Sequence, residues 1–327
     1  MCITMTPPNN ITIIKHQLKR NWKLLTLYCI VSFILSILYR SFIPQEGDSA
    51  SDKVTCTRRE VKLSPTILSP PALVSFPGSG STWVRHMVQQ MTGIATVSVY
   101  CDLYLYKHGF PYECRVEKAK YASLVKTHEI GRVKKYTRAV LLLRNPYDAL
   151  LSYFNFVKAG HKGHPTEKAL RNASAELFDF SLNWYMNLIK ETIEQFGDNV
   201  HVIVYERLRD NPRQELTRLA RYLDVIIADR DLTCAITLAE ESFRRQTKNK
   251  NHHRMLEIAF DWDKMAVLDQ AIRDAERMLE AAYKRKFDLS GKSRSVNDQA
   301  GKDDDLPEFN EDIADKRNRD KHYELVY

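Results

Sequence analysis

The chain has 327 residues, 44% of them hydrophobic and 28% charged, which suits a single soluble core with polar appendages. A formal net charge of +8, from 49 basic against 41 acidic side chains, favours anionic ligands only weakly, and no nucleic-acid partner is expected. Its cysteines form neither a CxxC pair nor a Cys/His cluster, so no metal site is expected, and His252-His253 reads as a polar surface pair.

Residues 24–39, LLTLYCIVSFILSILY, carry no charge, and Ile43 extends the run if Arg40 snorkels to the interface. That is near the lower limit of ~17 residues for a bilayer span. Lys15, Lys19, Arg20 and Lys23 precede it, so the positive-inside rule keeps residues 1–23 in the cytosol, makes 24–43 a signal anchor in the lipid bilayer, and puts the rest in a lumen. A cleaved signal peptide ending near Ser49-Ala50-Ser51 is the rival reading, against which the length of the apolar run argues. Cys56, Cys101, Cys114 and Cys234 then face an oxidising compartment. Cys101 and Cys114 bracket CDLYLYKHGFPYEC, whose Gly109-Phe110-Pro111 turn brings the ends together, which leaves Cys56 to pair with Cys234. Asn172-Ala173-Ser174 is a luminal glycosylation sequon.

Residues 44–71, with Pro44, Pro65, Pro70 and Pro71, read as a stem. From 72 to 287 short apolar runs alternate with amphipathic ones. ALVSF (72–76), SLVK (123–126), AVLLL (139–143) and VHVIVY (200–205) predict strands, and helices are predicted at 81–92, 146–158, 175–196, 211–223, 232–244 and 261–285. That order implies an α/β fold, a parallel sheet flanked by helices. Residues 288–327 lack a periodic apolar face and read as a disordered polar tail.

Two segments point to a site. VSFPGSGSTW (74–83) passes from a strand through a small-residue loop into a helix, where backbone N–H groups and the hydroxyls of Ser79, Ser81 and Thr82 suit an anion. Ser81 stands where a Walker loop needs Lys, which argues against a kinase. RNPYDALLSYFNF (144–156) follows the AVLLL strand, with Pro146 suited to a first helical turn and Arg144 at the strand tip as either a second phosphate clamp or a cap on a neighbouring carbonyl.

Together these stretches resemble the sulfotransferases that use 3′-phosphoadenosine-5′-phosphosulfate (PAPS) as donor. The family's strand-loop signature is matched at Pro77, Ser79, Gly80, Thr82 and Trp83, and its Arg-Asn-Pro signature at Arg144, Asn145, Pro146, Asp148, Ser152 and Tyr153. Lys126-Thr127-His128 and VIVYERLRDNPRQELTRLARYL match two further elements in order. The family's late Arg-Lys-Gly signature is not evident, with only Arg244, Arg245, Lys248 and Lys250 as basic candidates. FPGSG before a polar residue and Thr-Trp is most similar to the WSC-domain-containing (WSCD) sulfotransferases, type II membrane proteins, although the stem holds only Cys56 and has no room for a WSC module.

The resemblance implies a P-loop-like sulfotransferase fold, a Golgi location and a hydroxyl acceptor on a glycan or a protein. It implies that Ser79, Gly80, Ser81 and Thr82 hold the 5′-phosphosulfate, that Trp83 and Tyr205 lie near the adenine, and that Arg144 and Ser152 bind the 3′-phosphate. His128 is the expected general base and Glu129 its reserve. Gly78 stands where relatives carry Lys or Arg, and reads as allowing close approach to the ligand. Lys126 is the expected substitute cation, since positions 126 and 128 share a face of their strand. The alternative is a tethered nucleotide-binding protein without catalysis.

Overall fold

Strands buried on both faces require uninterrupted apolar runs. β1 (Ala72–Ser75), β3 (Val125–Thr127) and β4 (Ala139–Leu143) are buried at every position. With β2 (Val97–Ser98) and β5 (Val200–Val204) they form one sheet in the order β2-β3-β1-β4-β5, parallel throughout. The computed structural model describes residues 55–161, 163–242 and 249–291, with backbone alone at 240–242 and 249–251. The expected anchor at 24–43, the tail beyond 291, and Arg244, Arg245, Lys248 and the Lys250 side chain lie outside what is described.

Alternation along the strands builds a three-layer sandwich. Leu73, Val140, Leu142 and Ile203 pack on α1 (Ser81–Thr92), α6 (Pro212–Tyr222) and α7 (Asp229–Ser242). Val74, Leu141, Leu143, Val202 and Val204 face α3 (Pro146–Ala159), α4 (Glu167–Phe196) and α9 (Trp262–Tyr283). The remaining helices are α2 (Leu103–Lys107), α5 (Tyr205–Asp210) and α8 (Asn249–Ala259).

Capping explains most boundaries. α1 runs between Gly80 and Gly93, both left-handed. Asn145 accepts from the Tyr147 N–H at 2.9 Å, and Pro146 opens α3 as expected. The helix expected from 175 starts earlier, because Thr166 caps Ala169 N–H at 3.2 Å. The helix expected over 261–285 is α9, ending at Tyr283; α8 before it was not expected, and Phe260 and Asp261 separate the two. Asp261 accepts from Lys264 N–H at 3.0 Å and starts α9 afresh.

The ends of the domain differ from expectation. From Cys56 the chain forms one compact unit; Cys56 is bonded to Cys234, and Arg59 Nη1 reaches Met91 O and Asp231. At the other end Leu289 is buried and Ser290 O accepts from Asn145 Nδ2 at 2.8 Å, so residues 288–291 belong to the domain. Asn172 is exposed on α4, while the Ser174 hydroxyl donates to Ala259 O. Among the described residues no helix is long and apolar enough to cross a membrane.

Both expected disulfides are formed, Cys56–Cys234 and Cys101–Cys114. The second closes a loop with a sequence separation of 13. Replacing both of its cysteines by serine is expected to lower unfolding free energy by ~3 kcal/mol in the chain-entropy account, read from denaturant midpoints.

Candidate active site

β1 lies between β3 and β4, so the loops leaving these three strand tips diverge and open a crevice at the carboxyl edge. The residues predicted for the site stand toward this edge, on β3, the loops or the first turns after β1, β3, β4 and β5, except Ser152, which lies in the second turn of α3.

The loop after β1 is shaped by two glycines, Gly78 at φ +91° and Gly80 at φ +97°, where other residues are strained. It delivers the chain to the N-terminus of α1, whose first turn has no acidic residue. Ser79 is 0% exposed, and its Oγ has no hydrogen-bond partner among the described residues. A buried, unpaired hydroxyl costs ~1–3 kcal/mol, a cost that a bound acceptor oxygen removes. Ser81 is buried, Thr82 and Trp83 partly so. Tyr205 closes the loop from the far side: a Cβ on Gly80 would lie 2.8 Å from its ring, and its centroid is 5.3 Å from that of Trp83.

Arg144 takes the carbonyl-capping role that its position suggests. Its Nη1 donates to Gly78 O at 2.9 Å, and its guanidinium lies 4.6 Å from the Tyr205 ring centroid. Its Nε is buried with no partner among the described residues. The turn behind it is pinned by Glu206, which accepts from Asn145 N–H at 3.1 Å, and by Tyr185 Oη, which donates to Arg144 O at 2.9 Å. Ser152 faces the same place, its Cβ 3.1 Å from where a Cβ on Gly78 would stand.

Gly78 requires a correction. The close approach it allows is to α3, because an added Cβ would lie 2.6 Å from Ala149 O. A lysine or arginine there would displace the helix.

On the other side of β1, His128 is held by three contacts. Its Nδ1 lies 2.6 Å from Ser75 O, its backbone N–H donates to Tyr100 Oη at 3.1 Å, and its carbonyl accepts from Trp184 Nε1 at 3.0 Å. A carbonyl only accepts, so Nδ1 carries the proton and Nε2 keeps its lone pair. Burial, then the charge of Lys126, lowers the imidazole pKa to about 3. Lys126 is 8% exposed. Burial, then Arg85, lowers its pKa to about 8. As expected from strand alternation, both face one group: the Tyr100 ring stacks on His128 at 5.5 Å and lies 5.8 Å from Lys126 Nζ. Beneath them Arg85 Nη2 pairs with Glu113 at 2.5 Å, both fully buried. Glu129, the reserve base, is exposed and engaged by Arg132 at 3.0 Å and Tyr100 Oη at 3.2 Å.

Tyr100, Glu206, Asp148 and His252 were missed as site residues. The first two could have been found as neighbours of strand-tip motifs. His252, read as surface, places Nε2 2.9 Å from Asp148 Oδ1 and joins the crevice only through the packing of α8. No cluster able to hold a metal occurs among the described residues.

The model of the "Sulfotransferase domain" matches residues 71–267, the stretch that contains all four loops. The chain belongs to the sulfotransferase domain family. Within it the chain is 32% identical over 221 residues to the WSCD family member CG9164 of Drosophila melanogaster, covering 63% of this chain and 67% of that protein. It is 34% identical over 191 residues to the WSCD family member AAEL009094 of Aedes aegypti, covering 54% of this chain and 57% of that protein. A mouse sulfotransferase, SULT7A1, solved with PAP, superposes with a TM-score of 0.43 at 16% identity, over 68% of this chain and 88% of that one.

In this sulfotransferase domain Gly78→Ala is expected to lose stability by ~1–3 kcal/mol from the left-handed backbone, with a further loss from the Ala149 overlap. Thermal unfolding checks this; a variant as stable as wild type would contradict the geometry.

Proposed function

We propose that the chain is a sulfotransferase that moves a sulfuryl group from PAPS to an acceptor hydroxyl, a glycan hydroxyl in preference to one on a protein. One observation carries the reading: Ser79 Oγ and Arg144 Nε, two buried donors lacking partners among the described residues, stand at the tips of adjacent strands. Ser79 to Thr82 and the start of α1 suit a 5′-phosphosulfate, Arg144 and Ser152 a 3′-phosphate, and Trp83 and Tyr205 offer ring faces for a base.

The bound donor supplies the sulfuryl group and a phosphate leaving group. The acceptor oxygen bonds to sulfur as the bond from sulfur to the bridging phosphate oxygen breaks, and the hydroxyl proton passes to His128 Nε2. Ser75 O keeps that nitrogen unprotonated and aimed. Lys126, as a cation, opposes the charge that grows on the leaving oxygen. An anion beside these residues raises the basicity of His128, which burial and then the charge of Lys126 depress.

The acceptor mouth is read at the disulfide-closed segment, which begins beside Tyr100, the ring that touches both His128 and Lys126. The basic residues before 24–43, together with two disulfides, support a type II protein with its catalytic domain in the Golgi lumen. One observation favours the alternative of a non-catalytic nucleotide-binding protein: the position of the usual cation admits no side chain at Gly78.

The test is transfer of radiolabelled sulfate from PAPS to a panel of glycans. Lys126→Ala is expected to lower turnover by ~10²–10³ with donor affinity nearly unchanged. Wild-type kcat/KM, which reports the free enzyme, should fall as pH rises through about 8, where Lys126 loses its proton. It should show no acid limb near neutrality, because His128 stays neutral down to about 3. Donor binding without transfer to any acceptor would select the binding-protein reading.

A further inference from the structure

Asp148 is shared by two basic groups from distant parts of the chain. One turn after Arg144, on the first turn of α3, its Oδ2 lies 3.7 Å from Arg144 Nη2. Its Oδ1 lies 2.9 Å from His252 Nε2, contributed by α8. The carboxylate is a quarter exposed, and Arg209 of α5 adds a more distant positive charge. The neighbours of His252 along α8 are otherwise committed: Arg254 pairs with Glu167 of α4, and His253 with Glu257. Among the described residues His252 and Arg144 are therefore the two close cationic groups whose partner is Asp148.

The geometry points to His252 as a positioning residue for Arg144, acting through Asp148, that sets how strongly the crevice prefers a nucleotide bearing a 3′-phosphate. This rests on the donor reading above. A protonated imidazole satisfies Asp148 and leaves the Arg144 guanidinium free to turn toward a phosphate. A neutral imidazole leaves Arg144 as the only close cation, and a phosphate must then compete with a carboxylate for it. Asp148 raises the pKa of His252 above its ordinary value. The direction follows: lower pH frees Arg144 and favours the 3′-phosphate.

The test is calorimetry on the full chain with 3′,5′-adenosine bisphosphate and with 5′-AMP, at about pH 6 and about pH 8, either side of the ordinary histidine value. In wild type the preference for the bisphosphate should grow several-fold at the lower pH. His252→Gln should lose that growth and bind the bisphosphate roughly ten-fold more weakly than wild type at the lower pH, on the scale of one charged hydrogen bond, with 5′-AMP unchanged. Asp148→Asn removes the competitor, so it should tighten bisphosphate binding, abolish the pH dependence of the preference and make His252→Gln silent in the double variant. A purely structural role for His252 would not produce that suppression.

A wild-type pH response persisting in His252→Gln overturns the inference while leaving the donor reading intact. So does weaker bisphosphate binding in Asp148→Asn. Wild type that binds neither nucleotide overturns the donor reading, and this inference with it.

Discussion

The contact between the loop after β1 and the helix after β4 governs the rest of the site. Gly78 meets α3 so closely that a single added carbon would stand 2.6 Å from Ala149 O. That approach brings Gly78 O within 2.9 Å of Arg144 Nη1, and so ties the two loops together. In the proposed transfer, with no cation at Gly78, positive charge for a leaving group comes from the backbone of the loop, the end of α1, or the opposite strand tip.

The opposite tip has the right chemistry for that burden. Lys126 is buried beside the Arg85–Glu113 pair, and its ammonium is held with a pKa of about 8. A desolvated cation interacts more strongly with a nearby anion than a hydrated one. Burial, and after it the same charge, keep His128 neutral. In the proposed transfer base and cation depend on one another: burial and Lys126 keep Nε2 ready to accept, and a bound anion offsets the loss of basicity. Tyr100, touching both, links this pair to the disulfide-closed segment that begins at the next residue.

What was legible in the sequence follows from how local its cause is. AVLLL gave β4 residue for residue, because apolar character on both faces and Asn145-Pro146 after it mark the strand and its end. α1 was equally plain between Gly80 and Gly93. α8 was not, since it opens on the polar run NKNHHR, which shows no apolar period. β2, of two residues, is too short to show a period and exists only through its pairing with β3. Among site residues, those inside strand-tip motifs were named correctly as to place. The contact of Gly78 with α3 was not legible, because the sequence cannot tell a ligand from a helix as the object of a close approach. His252 was missed because its contact with Asp148 spans the fold.

The central claim is that one nucleotide engages both loops at once, and hydrogen exchange with 3′,5′-adenosine bisphosphate tests it most directly. The account predicts slowed exchange in 77–83 and in 144–152 together, with the second protection lost in Arg144→Ala and the first retained. Protection confined to one loop, or to neither, would contradict it.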